Sequence, residues 1–80
     1  HYRLAEAYYG KGDYSDAIQS GQQAVGRRKN FHAAELVLGD AHAKLGQTQD
    51  ARSWYNRALK DNRYRDYAQH QLEALDTQNR

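Results

Sequence analysis

The side chains of this 80-residue chain that are suited to chemistry are few, and their spacing decides what they can do. His32 and Glu35 stand three apart, as do His70 and Glu73, so each pair shares one face of a helix. Metal sites use such pairs, but zinc needs three or four ligands and a shell that orients them, and no HExxH run or facial triad is present. Each pair therefore reads as solvated helix surface, and no metal or other cofactor is expected. Ser15, Ser20 and Ser53 fall on expected helix surfaces, and none sits in a Gly-x-Ser-x-Gly elbow. Asp13 and Asp16 are explained by helix capping. Gly10-Lys11-Gly12 is too short to cradle a phosphate and reads as a turn. The absence of cysteine removes thiolate zinc sites, disulfides and cysteine catalysis together. No enzyme is expected.

The composition narrows the remaining classes. Hydrophobic residues make up 39% and charged residues 28% of the chain, and the mean hydropathy is −1.17, so no window suits a bilayer. The first half balances Arg3, Lys11, Arg27, Arg28 and Lys29 against Glu6, Asp13, Asp16, Glu35 and Asp40, and the whole chain carries only +2. So flat a balance gains little from counterion release and argues against nucleic acid as the main partner. A cysteine-free chain suits cytoplasm and periplasm alike. Methionine is absent and the chain opens on His1, which reads as a piece of a longer protein.

The elements that must position these residues repeat. A shift of 34 residues superposes Leu4 on Leu38, Ala7 on Ala41, Gly12 on Gly46, Asp16 on Asp50, Ala17 on Ala51 and Ala24 on Ala58, and carries Leu38 onto Leu72. Each period reads helix, glycine turn, helix. Leu4, Ala5 and Tyr8 share a face of the first helix, and Ala17, Ile18, Ala24 and Val25 form the stripe of the second, with Asp13 as its N-cap. Leu38, Ala41, His42 and Leu45 repeat the first face, and Ala51, Trp54, Tyr55, Ala58 and Leu59 the second. A fifth helix starts near Arg65 with Ala68, Leu72 and Leu75 inward. Its polar Glu73 and Asp76 suit a terminal helix. No alternating β-branched run predicts a strand.

At this period the residues resemble the tetratricopeptide repeat family. The second repeat reads Glu35-x2-Leu38-Gly39-x2-His42 and then Ala51-x3-Tyr55, and the first reads His1-x2-Leu4-Ala5-x2-Tyr8 and then Ala17-x3-Gly21. The family's terminal proline is replaced by Lys29 and Arg63. Gly21 stands where the family has a large aromatic, and Phe31 is the expected filler of that hole. His42 takes the place of a buried tyrosine and is expected as a packed, hydrogen-bonded imidazole. The resemblance implies an all-α fold of five helices forming a segment of a right-handed α-solenoid. Repeat 1 spans about 1–31, repeat 2 about 32–65 and the capping helix about 65–77. The array is expected to continue before His1.

The resemblance also implies a concave groove lined by the first helix of each pair. The positions off the core are Tyr2, Glu6 and Tyr9, then Ala33, Leu36, Asp40 and Ala43, then His70 and Ala74 on the last helix. Leu36 and Asp40, both expected to be largely exposed, are the candidate centre of a site for a peptide or partner protein. The family's chaperone-binding members clamp a peptide carboxylate with lysines and asparagines. Glu6, Asp40 and Tyr2 hold those positions here, so no carboxylate clamp is expected. Two acids one repeat apart instead favour a basic or amphipathic segment. The competing site is a basic ridge of Arg27, Arg28, Lys29, Arg57 and Arg63 for RNA or another polyanion, although cations are also at home at helix C-termini. A plain spacer within a longer solenoid is the third possibility.

Overall fold

Gly12 and Gly46 hold φ at +86° and +78°, a conformation open to glycine without steric cost, and each closes one helix and opens the next. The computed structural model describes residues 2–78. In it the chain forms α1 (Tyr2–Lys11), α2 (Tyr14–Arg27), α3 (His32–Lys44), α4 (Thr48–Ala58) and α5 (Arg65–Gln78), and no strand among the described residues. Both glycine turns close alike. Asp13 N–H donates to the Tyr8 carbonyl at 2.9 Å and Gln47 N–H to that of His42 at 2.9 Å, the six-to-one bond of a Schellman turn. The Asp13 side chain makes no cap bond to α2, so the expected cap is absent and the backbone turn alone sets the entry. Asn30, at φ +58°, turns the chain between the two hairpins, as asparagine tolerates.

Alanines lie at the helix crossings: Ala5, Ala17, Ala34, Ala41, Ala51, Ala58 and Ala68 are fully buried. Small side chains let the helices approach closely, and larger ones fill what remains. Leu38 fills the space at Gly21: a Cβ there would lie 2.8 Å from Leu38 Cγ. The expected filler, Phe31, instead packs on Tyr2, with ring centroids 5.1 Å apart, beneath the guanidinium of Arg28. A Cβ on Gly39 would lie 2.6 Å from the ring of Tyr55, the largest fully buried side chain.

Burial breaks the sequence symmetry. Leu4, expected in the core, is 51% exposed, whereas its counterpart Leu38 is fully buried. Leu38 is covered by α2, and no described element stands in that place before α1. Leu45, also expected inward, is 42% exposed, because it lies beyond the end of α3 in the glycine turn. Ser20 is buried rather than on the surface. His42 is buried, with Nδ1 donating to Gln47 Oε1 at 2.6 Å. On α5, Ala68 and Leu75 are buried, Leu72 packs against the core, and Arg52 of α4 pairs with Asp76 at 2.8 Å.

Candidate partner-binding groove

Ala33, Leu36, Val37 and Asp40 recur at i, i+3, i+4 and i+7, a single stripe along α3. Tyr2 from α1, Tyr64 from the α4–α5 turn and Tyr67 from α5 stand around this stripe and border an open cavity of about 310 Å³. The wall is apolar and aromatic except for one carboxylate. That mixture, apolar area with few polar groups that fix orientation, is what recognition of a side chain or short segment needs.

The carboxylate is already engaged. Tyr55 donates its hydroxyl to Asp40 Oδ1, and Tyr67 donates to Oδ2 at 2.8 Å. Burial raises the proton affinity of Asp40 above that of an ordinary carboxylate, although the two hydroxyl bonds and nearby Lys44 oppose the shift. The same contacts, with burial leading, raise the phenols of Tyr55 and Tyr67. Tyr2 is pushed up to about 12, first by burial and then by donating to Glu6 Oε2 at 2.9 Å.

Of the residues read from the sequence as groove, Tyr2, Ala33, Leu36 and Asp40 come together. Leu36 was expected to be exposed, but it is 9% exposed and belongs to the core cluster, so it is the floor of the cavity and not a projecting anchor. Asp40 is likewise half-buried and bonded, not free. Glu6 is exposed and holds Tyr2, while Tyr9 packs on Tyr14 with ring centroids 5.5 Å apart. Ala43 packs against the core, and His70 is exposed and outside the cavity lining. Val37, Tyr64 and Tyr67 line the same cavity and are not among the residues read from the sequence. Tyr67 lies one turn before His70 on the same face of α5, and that spacing was the available signal.

The basic residues are divided among neighbouring clefts. Arg27 and Arg28 line one with Tyr2 and Phe31, and Arg28 and Arg63 line a second with Tyr64. Lys29 and Arg57 line a third with Lys60. Arg63 is tied to Asp61 by Nη2–Oδ2 and Nε–Oδ1 contacts of 2.8 and 3.2 Å, which lower Asp61 to about 2 and raise Arg63. The His32–Glu35 pair is no solvated surface: Nδ1 donates to Oε1 at 2.7 Å, and the side chains are 14% and 8% exposed. Among the described residues no three His or carboxylate groups are placed to hold one metal ion, and no helix is long and apolar enough to cross a membrane.

No curated protein has significant sequence similarity to the chain. The sequence pattern of the tetratricopeptide repeat matches residues 2–67, most of the chain and both helical hairpins. Such repeats are in general non-catalytic modules of protein–protein interaction, and the five-helix architecture is that of a helical repeat solenoid. The chain belongs to the tetratricopeptide repeat family.

Proposed function

We propose that the cavity over α3 receives an amphipathic segment of a partner protein, with an apolar side chain seated between Val37, Tyr64 and Tyr67. The observation that carries this reading is the convergence of α1, α3 and α5 on one apolar cavity with a single carboxylate at its edge. Aromatic side chains of this kind supply large contact area with few rotors to freeze, which favours binding hot spots. Asp40 and Glu6 lend negative charge to that side of the molecule, so a basic flank on the segment is favoured over an acidic one. Because both Asp40 oxygens already accept a hydroxyl, this charge steers the segment more than it anchors it.

Selection from a displayed library of random peptides tests the reading. Peptides enriched on the wild-type chain should share one apolar or aromatic residue, with Lys or Arg more frequent than Asp or Glu. They should bind Val37→Glu at least about tenfold more weakly, since a buried unpaired charge in the seat costs more than 1.4 kcal/mol. Peptides that bind both proteins equally would place the interaction elsewhere.

A further inference from the structure

A second cavity, of about 390 Å³, lies at the turn between α2 and α3. Lys29 and Asn30 of that turn, His32 and Glu35 of α3, Arg57 at the end of α4 and Lys60 in the turn beyond it form most of its wall. We propose that this cavity binds a phosphate monoester dianion.

The charge count points there first. Lys29, Arg57 and Lys60 stand against Glu35 alone, an excess of two positive charges with His32 neutral. Among the described residues, none of the three cations has a carboxylate oxygen within 4 Å. Glu35, whose Oε1 accepts from His32 Nδ1, offsets one of these charges and leaves the other two. Placement at helix C-termini accounts for a cation at the end of α2 and another at the end of α4. It does not account for three cations from two elements around one concavity. Like charges gathered on the wall of one cavity repel, and an anion between them relieves that repulsion.

The shape of the donors favours phosphate. The Arg57 guanidinium lies over the Trp54 ring, 4.7 Å from its centroid, which steadies the fork without consuming its N–H donors. A guanidinium fork matches two phosphate oxygens, and the two lysines add point charge around the third. A dianion balances the excess, whereas a single carboxylate leaves half of it. An extended polyanion would need Arg63 as well, and its guanidinium is already paired with Asp61. This site shares no lining residue with the groove over α3, so it stands or falls separately from that reading.

Titration of the whole chain with inorganic phosphate at constant ionic strength, followed by amide chemical shifts, tests the proposal. Saturable shifts should be confined to residues 29–35 and 57–60. The double variant Lys29→Gln/Lys60→Gln, which changes only exposed side chains, should weaken binding by roughly tenfold or more, while Val37→Glu leaves it unchanged. Two further arms, a blocked phosphoserine tripeptide and glucose 6-phosphate, identify the source of the group. Tighter binding of the tripeptide assigns the site to a phosphorylated side chain of a protein, and tighter binding of the sugar phosphate assigns it to a free metabolite. Shifts that never saturate, that acetate reproduces at equal concentration, or that survive the double variant would overturn the proposal.

Discussion

Gly39 and Gly21 show how much of this fold rests on absent atoms. A methyl group at Gly39 meets the Tyr55 ring at 2.6 Å, and that ring is held by its own hydroxyl bond to Asp40. Gly39→Ala should therefore destabilise by about 1–3 kcal/mol despite the better helix propensity of alanine, and a denaturant melt showing a gain would mean that Tyr55 is free to move. The alanine crossings carry the same constraint: Ala17→Leu or Ala51→Leu should cost about 1–3 kcal/mol, because both side chains are fully buried against a facing helix. The tyrosines predict an alkaline limit. An unfolded phenol loses its proton near pH 10, while folded Tyr2 keeps it to about 12. The folded state then holds a proton that the unfolded chain has released, so this contribution is lost as pH rises from about 10 to 12. Tyr2→Phe should flatten that fall in pH-dependent melts, and an unchanged slope would show that the Tyr2 hydroxyl is not protected.

At the scale of helices, α5 does two things at once. It covers the core at Ala58 and Tyr55 through Ala68, Leu72 and Leu75, and through Tyr67 it supplies one wall of the groove and one bond to Asp40. Removal of residues 65–80 should therefore cause aggregation or loss of helicity in sedimentation and circular dichroism. A monomeric, fully helical remainder would show that α5 is dispensable for the fold. The helices themselves were legible in the sequence, because period, glycine turns and alanine spacing are local signals. Gly12 and Gly46 sit where the repeat placed them, and Arg65 does open the last helix. Burial was less legible. Identical leucines at Leu4 and Leu38 differ because, among the described residues, α3 is packed on both sides and α1 on one, and no spacing within a repeat records that. The partner of Gly21 was misread for a related reason: the filler is Leu38 in the middle of α3, two turns beyond Phe31 at the start of that helix.

At the scale of the whole molecule, three helices converge on the cavity over α3, and only part of that convergence was visible beforehand. Tyr2, Ala33, Leu36 and Asp40 follow from the repeat register, whereas Tyr64 and Tyr67 belong to a turn and a terminal helix that the register describes poorly. The depth of Leu36 changes what a substitution reports. Leu36→Ala removes buried core and should cost about 2–5 kcal/mol of stability, so it cannot serve as a clean binding probe. Val37 and Tyr67, at the accessible edge, are the informative positions. The proposed function requires that this groove take the apolar or amphipathic segment of a partner. The most direct measurement is amide chemical-shift mapping of the chain with a peptide enriched from a displayed random library. Perturbations should centre on Tyr2, Ala33, Val37, Tyr64 and Tyr67 and be lost in Val37→Glu. Perturbations centred instead on Lys29, Arg57 and Lys60, with the groove amides unmoved, would contradict it.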